Sequence, residues 1–323
     1  MSNSDIKDTW LIIINPVAGG GKARKLWPKI HDTLKELDIP FEPIFTKHKG
    51  EILAFMSQFL SQGFRKFVAC GGDGTLHEVI NGIFSQQKVS PRDTIVTMIP
   101  LGMGVDWPRM YDYPPNPKAV VKLLKEGKTI FQDIGKVEYF LNSRPQVRYF
   151  NNIAGMGFDA AVVNETESNR KKGFLGQLGY LWALLKTIGS YRGQEMIVKG
   201  ESFEVRSHNT SANIGICKFS GGGMRMVPKA IADDGLFDVT VIRYLNPFQI
   251  IRNLPKLYNG RIYTHKKISL HRAKEVYIHA EGGVLLEADG EMLGKSPATF
   301  SILPQAIQIL VPKRYKSQSP VNP

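Results

Sequence analysis

The chain has 323 residues, 42% hydrophobic and 22% charged, enough for two domains with sizeable cores and ordinary for a globular protein. Its formal net charge of +13, spread over dispersed lysines and arginines, reads first as a solvated surface and second as a match for an anionic membrane surface or acidic ligands; no helix-turn-helix, ribonucleoprotein or finger signature accompanies it, so nucleic acid is not expected. No stretch approaches the ~20 apolar residues that span a bilayer, Met1 to Trp10 is polar and acidic rather than a leader segment, and Cys70 and Cys217 form no metal motif, which predicts a cytoplasmic chain with no transmembrane segment, disulfide or zinc site.

Trp10 to Ile14 is a continuous apolar run, the mark of a buried parallel strand. Asn15-Pro16-Val17-Ala18-Gly19-Gly20-Gly21-Lys22 follows, and then Leu26, Ile30, Leu34 and Leu37 recur at helical spacing. The turn matches neither GxxxxGK[ST] nor GxGxxG. Phe41 to Thr46 reads as a second strand, Glu51 to Gln62 as an amphipathic helix and Phe67 to Cys70 as a third strand. That strand runs into Gly71-Gly72-Asp73-Gly74-Thr75, after which Leu76, Val79, Ile80 and Ile83 mark a helix. Residues 10–86 are therefore βαβαβα, which predicts a parallel sheet with right-handed crossovers.

Glycines between a strand end and a helix start let backbone approach a phosphate, and the helix N-terminus offers unpaired N–H groups. Asp73 would repel that phosphate unless a cation stood between them, which points to Mg²⁺ and a nucleoside triphosphate. The plainer alternative is a tight turn with Asp73 as a helix cap.

Thr94 to Pro100 is a further strand, Ala119 to Glu126 a short helix, and Phe131 to Val137 opens a new strand region. From there strand-like runs dominate, at 147–154, 195–198, 203–205, 211–216, 237–242, 275–278 and 306–311, which suggests a β-sandwich. A boundary near residue 136 divides 1–136 from 137–312, with 313–323 either returning to the first domain or remaining apart. Leu178, Leu181, Trp182 and Leu185 share one helical face after Arg170-Lys171-Lys172; the first reading of such a stripe is core, the second a membrane contact.

The string GGDGTLHEVING (71–82) resembles the signature of the diacylglycerol kinase catalytic-domain family, soluble lipid kinases that include bacterial diacylglycerol kinases and sphingosine kinases. NAD kinases and phosphofructokinases carry a related turn. The segments 155–160, 219–239 and Asp289-Gly290-Glu291 follow in family order, so the resemblance spans nearly the whole chain. It implies an NAD kinase/diacylglycerol kinase-like α/β N-terminal domain with a parallel sheet, a mainly β C-terminal sandwich, and transfer of the γ-phosphate of ATP to a lipid hydroxyl.

By that resemblance Asn15, Pro16, Val17, Ala18, Gly19, Thr46, Gly72, Asp73, Gly74, Thr75, Leu76, His77, Glu78 and Met103 contact the nucleotide. Asp73, Asp106 and Asp133 would surround an active-site Mg²⁺, and Glu291 would take the acceptor proton with Asp289 in support. Where the family usually reads Gly-Thr-x-Asn-Asp-Phe-Ala-Arg, this chain keeps Gly102, Asp106, an aromatic Trp107 and Arg109 but has Met103 and Val105. Methionine cannot supply the threonine's hydrogen bond, a loss of about 0.5–1.5 kcal/mol. The acidic turn at 233–235 either holds a structural Mg²⁺ through Ile231, Asp234 and Leu236 or is a metal-free turn.

The implied partner is a lipid substrate at an anionic membrane surface, met by a peripherally bound enzyme; the sequence leaves a homodimer open. The alternatives are an NAD kinase-like small-molecule kinase and a nucleotide- or lipid-binding protein without catalysis. The retained acids Asp73, Asp106, Asp133 and Glu291 favour an active enzyme, because buried carboxylates are costly without a role.

Overall fold

The computed structural model describes residues 3–102, 105–171 and 176–317, and the chain divides into two compact units. Of the described residues, the first comprises 3–133 and 305–317 and the second 134–304.

The first unit begins with α1 (Asn3–Asp8), then alternates β1 (Trp10–Ile14), α2 (Ala18–Glu36), β2 (Phe41–Phe45), α3 (Glu51–Ser61), β3 (Lys66–Gly71), α4 (Asp73–Phe84) and β4 (Ile95–Pro100). Two short helices, α5 (Trp107–Met110) and α6 (Pro117–Glu126), lead into β5 (Lys128–Leu141), whose first residues still belong here. β1 lies between β2 and β3, β3 pairs β4, and every pairing is parallel. The chain steps outward from β1 to β2 and then returns to the other side of β1, so the sheet has its switch point between β1 and β3.

Side-chain alternation gives each face of this sheet its own core. Ile12, Ile14, Val68, Cys70 and Ile99 pack under Ile30 and Leu34 of α2 and Val120, Val121 and Leu124 of α6. Leu11, Ile13, Phe67 and Ala69 are buried on the opposite face, the side to which alternation assigns them. There α3 and α4 pack together, and Gly82 permits the approach: a β-carbon at that position would stand 2.7 Å from Cβ of Met56.

The run 306–311 belongs to this unit and not to the sandwich to which the sequence pattern assigned it. Gln308 and Ile309 pair in parallel with Ile95 and Val96 of β4, which would otherwise be a sheet edge. Apolar alternation marks a strand but does not say which sheet will receive it.

The second unit takes the rest of β5, then β6 (Arg144–Phe150), β7 (Ile153–Gly157), α7 (Phe158–Lys171), α8 (Gly176–Ser190), β8 (Gln194–Gly200) and β9 (Glu204–Gly215). The short pair β10 (Phe219–Ser220) and β11 (Met224–Arg225) precedes β12 (Phe237–Arg243), α9 (Pro247–Tyr258), β13 (Ile268–Ala273), β14 (Glu275–His279), β15 (Leu285–Ala288) and β16 (Glu291–Val311). β9 pairs β8 through residues 204–209, then β7 and β12 through residues 209–215. β16 likewise pairs β15 near its start and β14 further on. These two long strands carry the chain from one layer to the other, and the pairings β9–β7–β15–β16–β14–β8–β9 close on themselves. Phe150 lies at the centre, stacked on Phe237 with centroids 5.8 Å apart and edge-on to Phe300 at 6.3 Å. Gly135 makes room for it, since a β-carbon there would stand 2.2 Å from the Phe150 ring.

Helices α7, α8 and α9 pack together beside this sandwich through Phe158, Val162, Leu184, Ile188 and Ile250. The stripe on α8 first read as core is exposed at Leu181, Trp182 and Leu185. The residues that bury α8 are Ala183, Leu184, Thr187 and Ile188, on the other side of the helix. The side chains of Leu178, Arg170 and Lys171, and all of Lys172, lie outside the described residues.

Candidate active site

The carboxyl ends of β1, β3 and β4 carry three loops that touch one another. Asn15 leaves β1 with its N–H on the carbonyl of Cys70 (3.1 Å), its carboxamide accepts the Val17 N–H (3.2 Å), and its Nδ2 lies 3.4 Å from Oγ1 of Thr75. Gly19, Gly20 and Gly21 follow with φ of 62, 70 and 87°, so the start of α2 is a left-handed glycine turn before the regular helix. A β-carbon on Gly19 would stand 2.1 Å from the carbonyl oxygen of Leu101, and one on Gly102 would stand 2.8 Å from Cα of Gly72. The glycines thus bring three backbone segments within reach of one small ligand.

Gly72 is extended and Asp73 opens α4, so the first N–H groups of this twelve-residue helix face the loop cluster. The N–H of Asp106 donates to Oδ2 of Asp73 at 2.9 Å, and Oδ1 of Asp106 lies 3.4 Å from Nε of Arg109. Asp73 and Asp106 are thereby brought together. Asp133 is fully buried, and its Oδ1 accepts the N–H of Gln305 at 2.6 Å, which fastens the returning segment. Among the described residues no three His, Cys, Asp or Glu side chains are gathered as metal ligands, so the expected trio does not converge directly. The glycine cradle and the Asp73–Asp106 pair do fit a nucleotide phosphate with a Mg²⁺ that keeps most of its waters, because that ion is commonly held by one or two carboxylates plus phosphate oxygens.

Thr46 closes the end of β2 by donating its N–H to the carbonyl of Ile14 (2.9 Å), and Glu78 accepts the N–H of Gly50 (3.1 Å). Val17 is exposed, whereas Thr75, Leu76 and His77 are buried. Met103 lies outside the described residues.

In the second unit Asp289 and Gly290 take φ of 51 and 80°, the left-handed pair that a tight Asp-Gly hairpin requires between β15 and β16. The Asp289 carboxylate accepts three backbone N–H groups, from Asn151 (3.0 Å), Asn152 (3.0 Å) and Ile153 (3.2 Å). Its role is therefore to hold the hairpin against β7. Glu291, the other acid of the turn, is half-buried at the start of β16.

Beneath the hairpin lies a further acid of the same stretch, one to which the sequence reading gave no role. Glu287 is buried and accepts the N–H of Gly290 at 2.8 Å. Burial pushes its carboxyl well above the usual range; the Gly290 bond opposes this, and the charges of Asp159, Asp289 and Glu291 add to it. Burial likewise raises Asp159, against hydrogen bonds from Ser211 and Asn213. No period-two pattern marks Glu287, because Leu286, Glu287 and Ala288 are all buried and the register of β15 shifts between Leu286 and Glu287.

The acidic turn at 233–235 has an organic counter-ion. Asp234 accepts the Leu236 N–H at 3.1 Å and pairs with the guanidinium of Arg272, whose Nε also lies 3.5 Å from Asp238. With its carboxylate taken by Arg272, Asp234 does not fit a resident structural Mg²⁺ shared with Ile231 and Leu236. No local pattern in the sequence links Arg272 to this turn.

The diacylglycerol kinase catalytic domain model matches residues 9–137, and the YegS C-terminal NAD kinase beta sandwich-like domain model matches residues 152–311. The chain belongs to the diacylglycerol kinase family. A diacylglycerol kinase of Staphylococcus carnosus is 26% identical over 306 residues, covering 95% of this chain and 96% of the relative. One from Mycobacterium tuberculosis is 26% identical over 303 residues, covering 93% and 94%. Among solved structures, a putative diacylglycerol kinase from Bacillus anthracis superposes with TM-score 0.75 at 22% identity, over 96% of this chain and 99% of its own. A yeast NADH kinase complexed with NADH has TM-score 0.52 at 12% identity, over 95% and 83%, a likeness of fold alone. This diacylglycerol kinase-family chain is thus a phosphotransferase of α/β plus β-sandwich construction, and no helix among its described residues is long and apolar enough to cross a membrane.

Proposed function

We propose that this chain is an ATP-dependent lipid kinase that phosphorylates a hydroxyl of diacylglycerol or a related lipid, working in the cytoplasm and binding the membrane peripherally during turnover. The observation that carries the reading is the Asp73–Asp106 link set among the three touching glycine loops. Those loops offer backbone N–H groups to phosphate oxygens, and the α4 N-terminus adds a favourable dipole. Asp73 and Asp106 would hold Mg²⁺, which neutralises charge on the transferring phosphoryl group.

Glu291 in its ionised form accepts the proton of the lipid hydroxyl as that oxygen bonds to the γ-phosphorus, and the bond to the β–γ bridging oxygen breaks to release ADP. Asp289, whose carboxylate already accepts three backbone N–H groups, supports it by fixing the hairpin that carries Glu291. The family's curated relatives named diacylglycerol kinase favour a lipid acceptor over NAD.

The test is transfer of labelled γ-phosphate from ATP to diacylglycerol, other hydroxylated lipids and NAD, with Asp73→Asn and Glu291→Gln as controls. Label on a lipid that disappears in both variants supports the reading. Label on NAD alone, or ATP binding without any transfer, would overturn it.

A further inference from the structure

The outer sides of α8 and α9 present large apolar groups to solvent. On α8 these are Leu181, Trp182 and Leu185, with Trp182 61% exposed. On α9 Phe248, Ile251 and Tyr258 are exposed, Phe248 at 71%, and with Pro255 they recur three or four residues apart, forming one stripe. The opposite sides of the two helices are already satisfied: Leu184 and Ile188 of α8 pack with Ile250 and Leu254 of α9. An amphipathic helix in a globular domain normally turns its apolar side inward, and here both sides are apolar.

The charges around the stripe select the occupant. Residues 247–267 contain Arg252, Lys256, Arg261 and Lys266, together with Lys267, whose Nζ donates to the Tyr244 carbonyl at 2.9 Å, and no Asp or Glu; residues 176–190 contain no acid, and their one lysine, Lys186, pairs with Glu165 of α7 at 2.7 Å. Lys229 adds a further cation, 5.3 Å over the exposed ring of Tyr263. A second copy seated on the same face would oppose like charges across a two-fold axis. An anionic bilayer meets both properties, taking Trp, Phe and Ile into its interface while its headgroups neutralise the lysines and arginines. Helices of 15 and 12 residues are suited to lying in that interface and too short to cross it.

We propose that the α8–α9 face is the surface by which this chain docks on anionic membranes. The proposal rests on the lipid-kinase reading only for the source of the acceptor; the docking itself is testable apart from catalysis.

The test is co-sedimentation of the full chain with vesicles of phosphatidylglycerol and phosphatidylcholine, and with phosphatidylcholine alone, together with quenching of tryptophan emission by brominated lipid. The wild type is expected to bind the anionic vesicles and to be quenched through Trp182, which is exposed, whereas Trp10 and Trp107 are buried and Trp27 is half-buried against the α2 core; the Trp182→Ser variant gives the emission that Trp27 contributes. Trp182→Ser combined with Phe248→Ser should weaken vesicle binding about tenfold or more, as loss of two large apolar contacts requires. It should leave melting temperature and phosphorylation of a short-chain, monomerically dispersed acceptor unchanged. Equal vesicle binding by wild type and variant, or a dimer in sedimentation velocity that the variant dissolves, would overturn the proposal. Vesicle binding with quenching but without phosphorylation of any lipid would sink the kinase reading and leave the docking face standing.

Discussion

The backbone N–H of Asp106 donates to the Oδ2 of Asp73 at 2.9 Å, so the carboxylate at the head of α4 also positions the loop that follows β4. One side chain thus has two duties, and substitutions separate them. Asp73→Asn keeps an acceptor oxygen for the Asp106 N–H but removes the charge that Mg²⁺ needs. It is expected to retain its melting temperature and nucleotide-free fold while turnover falls about 10²–10³-fold or more, the scale of losing one group that stabilises transition-state charge. Asp73→Ala should lose both, and a thermal melt beside the kinase assay distinguishes the two variants.

The two acids of the Asp289-Gly290-Glu291 hairpin should separate in the same way. Asp289→Ala strips three backbone N–H groups of a charged acceptor and is expected to cost about 2–4 kcal/mol of stability. Glu291→Gln, in a half-buried setting, should change stability by less than about 1 kcal/mol while lowering turnover roughly 10²–10⁴-fold, the usual worth of a general base. Urea unfolding and steady-state kinetics on both proteins check this. A Glu291→Gln enzyme with full turnover would remove Glu291 from the mechanism.

These contrasts also show what a sequence can and cannot disclose. The α/β unit was legible because its strands are continuous apolar runs and its glycine turns fall where strand ends meet helix starts; the Gly71–Thr75 turn lies beside the switch point between β1 and β3. Helix α9 carried a readable start in Asn246-Pro247 with Gln249, a capping box in the structure, yet its surroundings read as strands throughout. The partners of Asp289 and Asp234 were not legible, because Asn151–Ile153 and Arg272 lie far along the chain and only tertiary pairing brings them in. Exposure of Trp182 was hidden for a related reason: periodicity shows that a helix has an apolar side, and the neighbours decide whether that side is covered.

Glu287 gives a pH dependence with a definite sign. Its folded-state affinity for a proton is raised well above the ordinary 4.5 by burial, so the folded chain keeps a proton that the unfolded chain releases. Stability is therefore expected to fall as pH rises from about 4.5 and to level off only above the raised folded value. Glu287→Gln stays neutral at every pH and can still accept the Gly290 N–H, so its stability curve should lack that slope. Urea midpoints measured from pH 4 to 9 would show the two curves converging at acid pH; parallel curves would mean that Glu287 ionises normally in the folded chain.

Arg272 offers the last prediction, about an ion the acidic turn does without. Asp238 is pushed up to about 6 by burial, opposed by Arg272 and aggravated by Asp234, so the guanidinium is what keeps two neighbouring carboxylates tolerable. Arg272→Met leaves them facing each other. Because the Arg272 side chain is itself 43% exposed, solvent screens part of the effect, and the loss should be roughly 1–3 kcal/mol rather than the larger value of a fully buried pair. Differential scanning calorimetry of the nucleotide-free protein is expected to give the same melting temperature for the wild type with EDTA and with Mg²⁺. The variant should melt several degrees lower, and Mg²⁺ or Ca²⁺ should restore part of the difference by taking the vacated charge. A wild-type melting temperature that drops in EDTA, with no nucleotide present, would instead mean that a cation and not Arg272 holds the turn at Asp234.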